Sequence, residues 1–484
     1  MFHAIVNTPT HPVREKVDGQ VASEKGNVIS TARSLQETGE KTPTARQLAV
    51  HILAEAERRR AYVDLLLRSQ LRKSNLNSRD RALVSELVRG CVRWRLYLRW
   101  VLKKRYRGDY FRVPFGLRAV LEVATYELFF HHSTPGYAVV SEAVELAKAV
   151  GGAQWAGRVN AILRRLEPLR SRRPLPADLQ SARGLSIAYS HPRWVVERWL
   201  NHFGFEETVA LLEANNQAAP LFVRVNGAHF DVAEARELLL AEGVRVQVVP
   251  GFDEYLKLED LPQGLESLRA FREGAITPQD PSGSLPVALL GLKAGDKVWD
   301  ACAAPGSKAT AAAQFLRAKG GVVFASDLQL HRVRLIRAAA ARLGLRNLHC
   351  LCADARAPAL ARATKVLVDA PCSGTGVFRR RVDARWQRSE RDVLKLKRTQ
   401  IAILDGIANV LASGGVLVYS TCTLEREENE EVVREFLERH PNFDVETAAK
   451  YVDIRFVTDE GFVRTFPHRH DLDGTFAARL VRRG

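Results

Sequence analysis

The chain reads as a multidomain α and α/β protein: an N-terminal all-α bundle, a small α+β linker domain and a C-terminal Rossmann-like, doubly wound domain. Three observations predict this. Apolar residues recur at helical spacing through residues 43–167. Short alternating runs surround residues 221–249, and from about residue 275 strand, turn and helix repeat. At 484 residues with 46% hydrophobic content the chain has material for several cores, and a length prior gives about three domains.

Residues 1–42 are polar, rich in Ser, Thr, Glu and Gly, and are expected to form a disordered tail. Order is expected from Pro43-Thr44, where Thr44 can cap a helix and Gln47 can reach back to it. Leu48, Ile52 and Leu53 form one apolar stripe, Leu83, Leu87 and Val88 a second. Leu117, Val120, Leu121 and Ala124 form a third, and Ala143, Val144 and Ala147 continue the spacing. Arg79, Arg81, Arg89, Arg93, Arg95 and Arg99 are interleaved and are expected on outward faces, as a solvated surface or an RNA-binding one. Three prolines between Pro168 and Pro176 mark a linker, so 168–270 is assigned to the linker and small α+β domain. Within it Leu221–Asn226 and Val244–Val249 alternate as strands around a helix from Val232 to Glu242.

Residues 271–484 are assigned to the doubly wound domain. Val298-Trp299, Val322–Phe324, Val366–Val368 and Val416–Tyr419 are apolar runs of the kind a parallel sheet buries on both faces. Ala-rich helical stretches at Ala309–Ala318 and Val333–Leu343 separate them.

Composition narrows the function. Lys and Arg exceed Asp and Glu by 72 to 55, a net charge of +17, which suits a polyanionic partner such as nucleic acid. No apolar run is long enough for a membrane span, and no secretory signal opens the chain. The six cysteines do not read as a disulfide framework, so a reducing cytoplasm is expected. No Cys/His spacing suggests a zinc site, and no dimerisation segment is evident; no metal and a monomer are expected.

Chemistry concentrates at strand ends. The first strand runs into Asp300-Ala301-Cys302-Ala303-Ala304-Pro305-Gly306-Ser307-Lys308 and then a helix. A small-residue turn lets a cofactor approach the backbone, and a helix N-terminus favours an anionic group. A phosphate-binding P-loop is excluded because Ser307 stands where its second glycine belongs. Asp327 ends the second strand, where a carboxylate can accept ribose hydroxyls, and Asp354 follows the third, where it can meet an adenine amino group. Together they favour an adenosyl ligand. The fourth strand delivers Asp369-Ala370-Pro371-Cys372 and the fifth Ser420-Thr421-Cys422-Thr423. Ligands of open α/β sheets sit at the carboxyl ends of strands, so adjacent strands would bring both thiols to one crevice. Cys91, Cys302, Cys350 and Cys352 are read as small buried apolar residues.

The turn D-A-C-A-A-P-G-S-K, the stretch D-A-P-C-S-G-T-G-V-F, S-T-C-T-L with Glu428-Asn429-Glu430, and Pro467-His468 before Asp473-Gly474 resemble the NOL1/NOP2/Sun family of RNA cytosine-5 methyltransferases. Arg79-Asp80-Arg81 leading to Leu87–Gly90, Tyr137–Val140 and Arg158–Ala161 are similar to the NusB-like helical domain of bacterial members that methylate a cytosine of 16S ribosomal RNA. The resemblance implies S-adenosylmethionine as cofactor, held by Cys302, Ala303, Ala304, Pro305, Gly306, Ser307, Lys308, Asp327, Asp354 and Asp369, and 16S rRNA as partner. It implies Cys422 as the nucleophile on carbon 6 of the cytosine, Cys372 as the group assisting release, and Asp369 as a contact to the ring edge. Arg379, Arg380 and Arg381 are expected to meet flanking phosphates. Ser307, Ala309 and Thr475 depart from the family pattern, and Ser307 requires a backbone without positive φ. Another RNA such as tRNA, or a non-catalytic assembly factor, is the alternative.

Overall fold

The computed structural model describes residues 43–484 except 260, 262–263 and 359–361; the expected N-terminal tail lies outside them. The first helix, Ala45–Arg59, begins with a reciprocal cap. Gln47 N donates to Thr44 Oγ1 at 3.3 Å and Thr44 N to Gln47 Oε1 at 2.8 Å. Helices Val63–Lys73, Ser78–Arg93, Arg95–Lys103, Phe115–Phe130, Gly136–Gly151 and Ala153–Arg164 complete the bundle. Leu48, Ile52, Leu53, Leu87, Val88, Leu117, Val120, Leu121, Ala124, Ala143 and Ala147 share one core, with Leu83 and Val144 at its edge.

The arginines of this domain do not all face outward. Arg79 and Arg89 are exposed, whereas Arg81, Arg93, Arg95 and Arg99 are half-buried. Arg99 reaches Glu57 and Glu122, both at 2.8 Å, and Arg81 donates to Leu71 O. The reason lies in helix Phe115–Phe130, which is buried along nearly its whole length and brings Glu122 and Glu127 inside. Buried carboxylates require cations. Arg99 serves Glu122 and Arg46 serves Glu127 at 2.6 Å.

The small domain is a four-stranded antiparallel sheet. It holds β1 (Leu221–Val225), β2 (Arg245–Val248), β3 (Tyr255–Glu259) and β4 (Ile276–Pro278), in the order β2-β3-β1-β4. Helix Val232–Ala241 covers it. Because β4 belongs to this sheet, the small unit reaches past residue 270. The helices Ala182–Ala188, Arg193–Phe203 and Phe205–Asn216, within the range assigned to the linker domain, pack instead on Phe378, Leu424 and Phe466 of the C-terminal domain. Trp199, fully buried, anchors them and donates to Glu425 Oε1 at 3.2 Å.

The C-terminal domain carries β5 (Lys297–Asp300), β6 (Val322–Asp327), β7 (Leu348–Cys352), β8 (Ala363–Asp369), β9 (Leu411–Thr421), β10 (Phe443–Glu446), β11 (Val463–Arg464) and β12 (Phe476–Arg482). Strands β9-β8-β5-β6-β7 are parallel; β12 runs antiparallel beside β9, with β10 outside it and β11 also paired to β12. Adjacent residues serve opposite faces. Val298, Leu367 and Val418 pack against helices Ser307–Arg317 and Leu330–Arg342. Trp299, Val366, Val368, Leu417 and Tyr419 pack against Glu390–Val410 and Glu430–Arg439. The order reverses between β5 and β8, so the crevice outside their carboxyl ends is where a ligand is expected.

Candidate active site

Two groups of residues meet at that crevice. The first is the turn after β5. Gly306 has φ 111°, a conformation only glycine adopts without strain, and a Cβ there would stand 3.3 Å from the backbone of Ile336. Ser307 starts the following helix and lies outside the positive-φ region, so the departure at this position is accommodated. Ala303 N donates to Ser326 O at 2.8 Å, tying the turn to the end of β6. Asp327, buried at that strand end, faces Arg332 at 3.5 Å, and Arg332 also donates to Ala304 O. Asp354, just beyond β7, pairs with Arg356 at 2.6 Å.

Sequence reasoning passed over Asp300, the last residue of β5. It is 1% exposed, and among the described residues neither carboxyl oxygen has a well-formed hydrogen bond. Burial, aided by Asp369, pushes its carboxyl up to about 8 against the opposing pull of Lys308. Lys308, from the same turn, pairs with Asp369 and feels the charge of Cys422. Its ammonium lies 2.7 Å from Asp369 Oδ2, and although burial lowers its pKa, the Asp369 ion pair and hydrogen bond leave it raised.

The second group is the pair of cysteine loops. Strands β8 and β9 are neighbours with Asp369 opposite Ser420, and Ser420 Oγ donates to Asp369 Oδ1 at 3.0 Å. The sulfurs of Cys372 and Cys422 stand 3.3 Å apart. The hydrogen bond from Cys372 lowers the pKa of Cys422, burial and Asp369 oppose this, and Arg381 and Lys308 reinforce it. Cys372, sharing that bond as donor in a buried position, is driven well above the ordinary thiol value. The pair therefore favours a thiolate at Cys422 beside a neutral thiol at Cys372.

Glu428 locks the loops together from beneath. Its Oε1 accepts from Ser373 N at 2.9 Å and Gln400 Nε2 at 3.0 Å; its Oε2 accepts from Ser373 Oγ at 2.5 Å and Thr423 Oγ1 at 3.2 Å. Asn429 adds Nδ2 to Thr423 O at 3.0 Å and accepts from Thr421 Oγ1 at 2.6 Å. The position of Gln400, deep in helix Glu390–Val410, carries no signal in sequence.

Two of the three arginines expected to meet phosphates do something else. Arg379 is buried and binds Asp471 at 2.5 Å and Ala218 O; Arg380 binds Asp280 at 3.0 Å and Asp473 at 2.9 Å. Carboxylates distant in sequence claim them, and only Arg381 is exposed at the site mouth. Of the other cysteines Cys91 is buried as expected, but Cys302 and Cys350 are only half-buried and Cys352, at the end of edge strand β7, is exposed.

A seven-membered main path with parallel β9-β8-β5-β6-β7, an antiparallel β12 and a small-residue turn after β5 defines a Rossmann-like methyltransferase domain, whose cofactor is S-adenosylmethionine. The small-residue turn and the strand-end carboxylates Asp327 and Asp354 suit its nucleoside and amino-acid parts. The sequence pattern of the family described as 16S rRNA methyltransferase RsmB/F matches residues 287–481, that of the NusB family residues 43–168, and that of the RsmF/B-like ferredoxin-like domain residues 191–262. A Bacillus subtilis protein named probable ribosomal RNA small subunit methyltransferase B is 33% identical over 454 residues, 92% of this chain and 100% of the relative. A Cronobacter sakazakii protein named ribosomal RNA small subunit methyltransferase B is 30% identical, covering 84% of this chain and 92% of its own. The crystal structure of PH0851 superposes with TM-score 0.76 at 25% identity, over 91% of this chain and 100% of that one. A methyltransferase homologue from Pyrococcus horikoshii gives TM-score 0.52 at 27% identity, over 61% of this chain and 97% of its own. The chain belongs to the RsmB/F family of methyltransferases.

Proposed function

We propose that the protein methylates carbon 5 of a cytosine in 16S ribosomal RNA. The observation that carries this reading is the thiol pair, 3.3 Å apart, with one sulfur biased toward the thiolate. Carbon 5 of cytosine is a poor nucleophile until a nucleophile adds at carbon 6. Cys422 is suited to that addition, since a thiolate is intrinsically strong and Lys308 and Arg381 lower the cost of its charge. The cofactor supplies an electrophilic methyl group. After transfer the carbon-5 proton passes to a base and the carbon 6–sulfur bond breaks with its electrons returning to Cys422. Cys372, 3.3 Å from that sulfur, is assigned to assist as a thiolate, a form accessible once Cys422 is bonded to the ring and carries no charge. Asp369, fixed by Lys308 and Ser420, offers a carboxylate to the exocyclic amino edge of the base. The turn Cys302–Lys308 with Asp327, Asp354 and Asp369 holds the cofactor, and the target base leaves its stack to enter.

The rRNA assignment rests on the names of the relatives and on the NusB-type N-terminal domain. Incubation with methyl-labelled cofactor and a 16S transcript, followed by bisulfite sequencing, tests it. Label at one cytosine supports the reading. Label only on tRNA would move the substrate, and no transfer to any RNA would leave a non-catalytic assembly factor.

A further inference from the structure

The segment that begins at Cys372 does not end in its own domain. Gly376 N donates to Cys422 O at 3.0 Å and Leu424 N to Thr375 Oγ1 at 2.9 Å, which binds the start of the segment to the other thiol loop. Phe378 then packs with Trp199, Leu424 and Phe466. Val382, 1% exposed, is part of the helical domain's own core, and Trp386 packs against that core.

Polar groups of the same segment complete the ends of helices they do not belong to. Helix Val63–Lys73 has no side-chain cap of its own, and Asp64 N donates to Asp383 Oδ2 at 3.1 Å. At the other polarity, Trp386 Nε1 donates to Val92 O at 2.7 Å, in the last turn of helix Ser78–Arg93. Among the described residues Arg385, 0% exposed, has no carboxylate partner, and its Nε has no hydrogen-bond acceptor. Its Nη1 donates to Arg93 O at 3.2 Å, Ser190 O at 3.0 Å and Asn216 Oδ1 at 2.9 Å, and its Nη2 to Asn215 O at 3.1 Å. Arg93 ends one helix and Asn215-Asn216 end another, Phe205–Asn216, so the guanidinium sits where two helix dipoles present negative ends. An acid at one helix start and a cation at two helix ends is a matched arrangement. A planar fork suits several convergent carbonyls better than an ammonium does.

We propose that Val382–Trp386 makes the helical domain a support for the Cys372 loop, with Arg385 as the positioning residue. The helical domain then does more than present a surface to RNA: its docking fixes the far end of a segment whose near end carries a reacting thiol. The docking is independent of the reaction proposed above; only its kinetic consequence rests on the role of Cys372 in that reading.

The full-length chain carries the test, in Arg385→Met, Arg385→Lys and the milder Trp386→Phe. Amide hydrogen exchange over residues 372–382 is compared with methyl-transfer kinetics. Exchange there should quicken in Arg385→Met, with Arg385→Lys between it and the native chain. A small misplacement near reacting groups costs up to about a hundredfold, so kcat should fall between about tenfold and a hundredfold. KM for RNA should stay within about twofold, since no RNA contact is removed. Should Arg385→Met fail to fold, Trp386→Phe decides. Faster exchange confined to 63–93, with residues 372–382 and kcat unchanged, overturns the proposal. If the native chain transfers no methyl group to any RNA, the exchange data still decide whether the loop is held.

Discussion

The two cysteine loops sit 3.3 Å apart at their sulfurs, yet they are held by different means. The Cys422 loop ends β9 and is fixed within one short stretch by Thr421, Thr423, Glu428 and Asn429. The Cys372 loop shares Glu428 at its start, then leaves the domain and finishes in the helical core at Val382. Their electrostatics differ as well: the hydrogen bond from Cys372, aided by Arg381 and Lys308 against burial and Asp369, lowers the pKa of Cys422, while that same bond and burial raise that of Cys372. A rigid, ionisable sulfur suits bond formation; the second sulfur, on a separately anchored loop, is freed for the later step once Cys422 is bonded to the base and no longer holds the Cys372 proton in place.

The largest effect that separates the loops is loss of the proposed nucleophile. Cys422→Ala should lower methyl transfer by at least about a thousandfold while leaving cofactor binding intact, as read by single-turnover assay and calorimetry. Next comes their common tie. Glu428→Gln replaces one acceptor oxygen with a donor, facing either Ser373 N and Gln400 Nε2 or the hydroxyls of Ser373 and Thr423, each of which now donates to it. Leaving buried polar groups mismatched costs about 1–3 kcal/mol of stability in denaturant titration. Equal disturbance of both loops by amide exchange is expected; disturbance of one alone would show that Glu428 is not their shared anchor.

A smaller effect concerns ionisation. Activity that requires the Cys422 thiolate rises with pH and levels off below the ordinary thiol value of 9.0. Arg381→Gln removes one favourable charge and should move that limb of kcat/KM to higher pH. An unmoved limb would mean that Arg381 does not sense the sulfur.

A further prediction, on stability rather than on the loops, concerns Asp300. Folded, it keeps its proton to about pH 8; unfolded, it loses it near 3.8. The folded state therefore binds more protons between those values, and stability falls as pH rises through them. Asp300→Asn removes this loss. Without cofactor, its melting temperature should match the native chain near pH 4, exceed it increasingly toward pH 8 and by a constant margin above that, by scanning calorimetry.

Much of this was legible in the sequence because local chemistry and local structure coincide. The Thr44–Gln47 cap, the apolar stripes and the β-branched runs of β5, β6, β8 and β9 each state their own geometry. Both thiols and Asp369 stood out because they end strands. What was not legible is set by distant partners. Nothing near Arg379 or Arg380 announces Asp471, Asp473 and Asp280, and nothing near Arg99 announces Glu122. Strand β12 follows β10 and β11 without a long helix between them and enters antiparallel between β9 and β10, so the strand–turn–helix rhythm does not reach it. Asp300 looked like an ordinary strand-end acid; only burial makes it exceptional.

The division of labour between the two loops is tested most directly by a covalent trap. Cys372→Ala and Cys422→Ala proteins are incubated with substrate RNA and cofactor and resolved by denaturing electrophoresis. Cys372→Ala should accumulate a protein–RNA adduct, because bond formation survives and release fails, while Cys422→Ala should form none. An adduct from Cys422→Ala and none from Cys372→Ala would reverse the roles of the two sulfurs and contradict the account.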